Sequence, residues 1–229
     1  MVEQYIKDTA ALFTDYYTKR KKAMKVMEKE TFEKMCMEAK TPDDIRKIVK
    51  LYEDDMNSRC LIISAKPVYN RYIGWALPTQ QVCELVYGFW RLHAECLLVD
   101  VGCGSGLFCM MFHAAGIDKQ KLLALEKKQP MECYRTENQY WDPILFDDNY
   151  EIPIDAIVFI AWGAHAVTER LQSYIRRGGS KVIILGEADI TFPCDFFAED
   201  KDWKCELCHV QGPASNVSEY LSFNVRKKI

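Results

Sequence analysis

The chain has 229 residues, a formal net charge of −3, 49% hydrophobic residues and 28% charged ones. These proportions exclude a disordered chain, which shows few apolar residues and a large net charge. A chain this long buries roughly 70% of its unfolded surface without a disulfide or metal staple, as one large domain or one domain with an appendage.

The first residues, MVEQYIKDTA, carry charges at Glu3, Lys7 and Asp8 and no apolar run, so no secretory signal is expected. The longest stretch free of Asp, Glu, Lys and Arg, Val101 to Ile117, holds four glycines, a serine and a histidine. It falls short of the ~20 apolar residues of a membrane helix, so no membrane partner is expected. The ten cysteines are scattered and read as reduced, mostly buried small hydrophobes. The expected location is cytoplasmic, with access to the nucleus left open.

Helices are expected first. Over 2–30, Ile6, Phe13, Tyr17, Met24 and Met27 share a helical period, and 31–39 continues it. Thr41-Pro42-Asp43-Asp44 reads as an N-cap, a proline at the first helical position and two first-turn acids. It opens a helix through Ile45, Ile48, Val49 and Tyr52. Residues 58–77, with Pro67 and Gly74, read as a connector, and Pro78-Thr79-Gln80-Gln81 starts a helix to about His93.

From Glu95 short apolar runs alternate with helical ones. Strands are expected at 96–100, 121–126, 143–146, 155–160, 181–186, 203–209 and 218–226, with helices at 106–115, 129–139 and 166–177. Near-continuous apolar strands alternating with helices predict a parallel sheet covered on both faces. The last two strands leave no room for a helix between them and are expected as an antiparallel pair.

Leu97 to Gly106 is the most informative segment: a buried strand ends in Asp100, and Gly102, Gly104 and Gly106 form a turn that opens a helix. Glycine permits positive φ and close approach of a ligand. The dinucleotide fingerprint G-x-G-x-x-G is absent, because Leu107 stands where its third glycine belongs. The phosphate-binding P-loop is absent too, since no Gly-Lys-Ser/Thr follows. Glu126 ends the next strand, where an acid can accept hydrogen bonds from both ribose hydroxyls.

The acid-Gly-x-Gly-x-Gly turn resembles the first motif of class I S-adenosylmethionine-dependent methyltransferases, over about residues 72–226. The resemblance implies a Rossmann-like α/β fold: a seven-stranded sheet with helices on both faces and its last strand pair antiparallel. Residues 1–70 would form an N-terminal helical appendage or lid and 71–229 the cofactor-binding methyltransferase domain. It implies S-adenosyl-L-methionine as cofactor, held by Asp100, Gly102, Cys103, Gly104, Gly106 and Glu126. Asp147 or Asp148, after the third strand, would meet the adenine amine, and Trp162, ending the fourth, would border the reaction site. Arg177-Gly178-Gly179 matches the family's turn before the fifth strand. A fainter likeness is to a methyltransferase branch with Ile-Pro-Ser-like, Trp-Pro-Pro-like and Val-Gly-Glu motifs. Here these read Leu77-Pro78-Thr79, Trp162-Gly163-Ala164 and Leu185-Gly186-Glu187.

Methyl transfer from a sulfonium is an in-line displacement, for which a protein mainly aligns the reactants and excludes water. His165 and Glu187, at the ends of the fourth and fifth strands, are candidate bases; His165 reads equally as a helix cap. Tyr16, Tyr17, Tyr72 and Trp75 read either as core or as faces for a cationic acceptor. Cys205-Glu206-Leu207-Cys208-His209 matches a haem-attachment pattern and half a zinc site, but it alternates like a strand, and no metal is expected.

The favoured function is methyl transfer to an N or O nucleophile of a small molecule. An RNA methyltransferase using Lys19–Lys29 is the alternative. Residues 1–40 carry only nine basic against seven acidic residues, which favours a solvated helix face. A third reading is a non-catalytic fold acting through a partner.

Overall fold

Five short apolar strands lie parallel; the central ones are buried on both faces, whereas Ile144 and Leu145 of the edge strand are exposed. The computed structural model describes residues 29–56, 68–127, 136–146, 150–162, 168–187, 202–210 and 219–226. Its strands are β1 (Leu98–Val101), β2 (Leu122–Lys127), β3 (Ile144–Phe146), β4 (Ile157–Ala161), β5 (Lys181–Glu187), β6 (Trp203–Val210) and β7 (Glu219–Arg226). They form one seven-stranded sheet in the order β3-β2-β1-β4-β5-β7-β6. The first five in that order are parallel, whereas β7 pairs antiparallel with both β5 and β6. This is the Rossmann-like α/β arrangement with an antiparallel last pair.

The period-two alternation of each strand sorts its side chains onto two faces. Leu98, Ile157, Phe159, Ile183, Leu185, Leu221 and Phe223 lie in one buried cluster. Val99, Val101, Val158, Ile160, Val182 and Ile184 lie in the other. The helices are α1 (Lys29–Glu38), α2 (Pro42–Met56), α3 (Gln80–Arg91), α4 (Leu107–Ala114) and α5 (Thr168–Arg176). Leu171 and Tyr174 of α5 cover the second cluster. The first is covered by α3 and α4 together with Phe32, Cys36, Ile45, Ile48 and Val49 of α1 and α2. The described N-terminal helices therefore share one core with the sheet.

Capping explains where two of these helices begin. Asp44 donates its N–H to Thr41 Oγ1 at 3.2 Å, and Asp44 Oδ2 accepts the Thr41 N–H at 3.0 Å, a reciprocal box. Thr79 Oγ1 accepts the Val82 N–H and starts α3.

The connector holds a helical turn over 68–72, closed where the Tyr69 hydroxyl donates to Ala76 O at 3.0 Å. The helix expected at 129–139 does not reach its predicted end, because 136–141 is an irregular strap. There Asn138 and Gln139 donate to distant main-chain carbonyls instead of facing solvent along a helix.

Two further contacts fix the sheet. The buried Tyr174 hydroxyl donates to Ala156 O at 2.7 Å and accepts the N–H groups of Ser180 and Lys181. Gln81 of α3 donates its side-chain amide to His209 O on β6. No helix among the described residues is long and apolar enough to cross a membrane.

Candidate functional site

In an open sheet of this kind the ligand crevice lies beyond the carboxyl ends of the strands, where the chain order switches sides. Here that point is β1, flanked by β2 and β4. The Gly102–Gly106 turn, Glu126 and Trp162 all lie at that end of the sheet.

The turn is anchored from beneath. Gly102 and Cys103 both donate their N–H to Leu125 O, at 2.8 and 3.1 Å. All three glycines adopt positive φ, at 75°, 54° and 72° for Gly102, Gly104 and Gly106. Their surroundings differ. A Cβ on Gly104 would meet nothing within 4 Å, whereas one on Gly106 would lie 2.5 Å from Trp141 Cβ and 2.8 Å from Trp141 O. Gly104 therefore leaves space for a ligand, and Gly106 lets the strap cross the start of α4.

Glu126 faces the open glycine: its Oε2 accepts the Gly104 N–H at 2.7 Å and its Oε1 the Lys127 N–H at 2.9 Å. Each carboxylate oxygen can accept a second hydrogen bond, so the group retains capacity for a diol. Asp100 is 2% exposed, and its Oδ2 is buried without a hydrogen-bond partner. Burial, with the negative charge of Glu126 beside it, pushes its carboxyl up to about 8. Burial also raises Cys103, whose side chain lies in a small cluster with Cys109, Ala124 and Trp141. A buried thiol held neutral is a wall, not a nucleophile.

Trp162 follows β4 with φ at 54°, the one non-glycine residue with positive φ among those described. Its N–H donates to Leu185 O at 2.9 Å, so the strained turn is tied to β5. Bulky residues rarely hold this conformation, and such strain collects at ligand sites.

The other sequence candidates divide. Tyr72 is buried, and its hydroxyl donates to Glu33 of α1 at 3.3 Å, so it joins the N-terminal layer to the connector. Trp75 lies partly exposed in the same connector. Glu187 closes β5 opposite Glu219. Tyr16, Tyr17, the Lys19–Lys22 basic run, Asp147, Asp148 and His165 lie outside the described residues. Cys205 and Cys208 stand opposite Asn224 and Leu221 on β6, three residues apart and therefore on opposite sheet faces.

Sequence reasoning missed Ser105, Asn138, Gln139 and Trp141. Ser105 Oγ donates to Ile73 O at 2.9 Å, bolting the turn to the connector. Ser105 O accepts the N–H groups of Tyr140 and Trp141 and the Gln139 side-chain amide. A single small polar residue inside a glycine turn gives no pattern from which such contacts can be read.

No family model and no curated protein sequence matches the chain. Solved structures of methyltransferases are similar to it. An S-adenosylmethionine-dependent methyltransferase from Aquifex aeolicus is 17% identical over 62% of this chain and 89% of its own, with a TM-score of 0.41. The magnesium protoporphyrin IX methyltransferase of Synechocystis, with bound SAH, is 11% identical over 80% and 98%, with a TM-score of 0.43. An O-methyltransferase from Bacillus cereus in complex with SAH is 10% identical over 82% and 100%, with a TM-score of 0.42.

Proposed function

We propose that the protein transfers a methyl group from S-adenosylmethionine to a small-molecule acceptor. One observation carries this reading: the open, left-handed Gly104 lies between the ends of β1 and β2, held by Glu126 and backed by the unpartnered carboxyl of Asp100. A ribose diol suits Glu126, and a cationic amino group suits Asp100, whose orphaned oxygen lacks only a donor. When bound, S-adenosylmethionine supplies an electrophilic methyl group on its sulfonium.

The chain's own residues supply binding, orientation and exclusion of water. Gly104 lets the main chain approach the ligand, Gly102 and Cys103 continue the cradle, and Trp162 borders the acceptor side. Asp147 or Asp148 would meet the adenine, and His165 or Glu187 would take a proton if the acceptor nucleophile carries one. The connector and the N-terminal helices support a small acceptor, because Ile73 of that layer is bonded directly to the glycine turn. The net charge of −3 favours no polyanion.

Calorimetric titration with S-adenosylmethionine and S-adenosylhomocysteine tests the cofactor. Saturable binding is expected, weakened by Glu126→Ala and spared by His165→Ala. Binding that ignores Glu126→Ala overturns the assignment. Incubation of the protein with cell extract and methyl-labelled cofactor then tests catalysis. A labelled small molecule is expected, labelled RNA replaces the acceptor class, and cofactor binding without any labelled product makes the fold non-catalytic.

A further inference from the structure

The strap over 136–141 touches two parts of the molecule that are remote in sequence. At one end, Asn138 Nδ2 donates to Cys36 O at 2.8 Å and to Ala39 O at 3.4 Å. Cys36 is in the last turn of α1, where carbonyls have no partner within the helix, so the Asn138 amide serves as its cap. At the other end, Tyr140 N and Gln139 Nε2 donate to Ser105 O at 2.8 and 3.0 Å. Three consecutive residues thus connect the end of α1 to the glycine turn.

The two ends are braced. Asn138 Nδ2 also donates to Tyr140 Oη at 3.0 Å, so the strap bonds to itself between its two attachments. Arg71 Nε donates to Glu137 Oε1 at 2.6 Å while the Glu137 N–H donates to Arg71 O at 2.8 Å. The Arg71 guanidinium also reaches Glu33 of α1, at 3.8 Å. Trp141 closes the strap against Gly106, leaving no room for a Cβ there.

We propose that Asn138 is a positioning residue that couples α1 to the glycine turn, so that a ligand ordering the turn also orders the N-terminal helical layer. This rests on the reading of Gly102–Gly106 as the cofactor cradle. Ser105 O belongs to the turn, and its three strap donors are one to three residues from Asn138, which caps α1. Coupling of this kind is reciprocal, so an intact α1 contact tightens ligand binding.

Hydrogen exchange followed by mass spectrometry, with and without saturating S-adenosylhomocysteine, separates the possibilities. In the parent, slower exchange is expected both at 100–107 and at 32–39. In Asn138→Ala, protection at 100–107 remains, ligand-induced protection at 32–39 is lost, and affinity falls about fivefold or more. Asn138→Asp, which keeps the size but removes the donor, behaves alike. A purely structural Asn138 would lower the melting temperature but leave ligand-induced protection at 32–39 intact, and that result overturns the coupling. Should Asn138→Ala fail to fold, the exposed Arg71→Gln cuts the second tie and reduces the same signal; an unchanged signal there also overturns it. A parent with no protection at 100–107 removes the cofactor reading and the coupling together. A parent protected at 100–107 alone removes only the coupling.

Discussion

Gly106 and Trp141 meet main chain against main chain: a Cβ on Gly106 would lie 3.0 Å or closer to three Trp141 atoms, its N, Cβ and O. Gly104, two residues earlier, has the same left-handed backbone but open space above it. The two glycines of one motif therefore have different physical roles, and substitution separates them.

Gly106→Ala combines left-handed strain of about 1–2 kcal/mol with an overpacking cost of about 1–3 kcal/mol. Gly104→Ala bears only the strain. Denaturant titration is expected to show Gly106→Ala as clearly the less stable. Gly104→Val should retain the fold and lose ligand affinity, as read by calorimetry. Equal stabilities for the two alanine variants would remove this division of roles.

Glu126→Ala removes the acceptor of the Gly104 N–H and, on the proposed reading, the charge offered to a ribose. Each charge-assisted hydrogen bond contributes about 1.5–3 kcal/mol, so cofactor affinity should fall at least tenfold. Glu126→Gln keeps an acceptor for Gly104 and should fall less. Circular dichroism of both variants should match the parent, since a strand-tip side chain supplies little of the core.

Asp100 predicts a pH dependence of stability. Its folded carboxyl titrates at about 8, far above an unfolded aspartate near 3.8, because burial opposes its charge. The folded state therefore holds a proton that the unfolded state releases, and stability falls as pH rises from about 4 through 8. Below that window the contribution is fully present. Asp100→Asn should flatten this part of the profile and raise stability at the alkaline end. Urea midpoints at several pH values test it; a slope unchanged by Asp100→Asn would assign the dependence to another group.

Much of this architecture was legible beforehand. The apolar runs at β1, β4 and β5 admit only strands buried on both faces, and the observed starts differ from the expected ones by two residues or fewer. The acid-glycine turn was legible because positive φ selects glycine. The strap was not. Asn138 and Gln139 act through bonds to residues 34 to 102 positions away, and no local periodicity records such partners. Likewise G-x-G-x-G spacing cannot tell an open glycine from one pressed on a tryptophan. The unpartnered state of Asp100 depends on what surrounds it, which the strand pattern around it does not specify.

Tyr174 anchors the far face. Tyr174→Phe deletes a hydroxyl that donates to Ala156 O and accepts from Ser180 and Lys181, leaving buried main-chain groups short of a partner. A loss of about 1–3 kcal/mol is expected in denaturant titration. Gly179→Ala attacks the same spot sterically, because its Cβ would fall 2.4 Å from the Tyr174 ring. In the double variant Tyr174→Leu with Gly179→Ala, the two effects should be less than additive, since the ring that clashes is gone. Strict additivity would show that the two residues do not share this contact.

The contact between Gln81 and His209 O bears on self-association. Among the described residues the two edge strands are unequal: β3 has three residues at one side of the sheet, and β6 has eight at the other. A rim of three residues is too short to template an incoming chain, whereas eight residues in register could extend the sheet. On β6 the His209 carbonyl receives the Gln81 amide, and the Lys204–Glu206 ion pair sets charge along the same strand. A strand arriving at β6 from another molecule would meet the Gln81 contact and the Lys204–Glu206 pair, both of which oppose edge-to-edge polymerisation there.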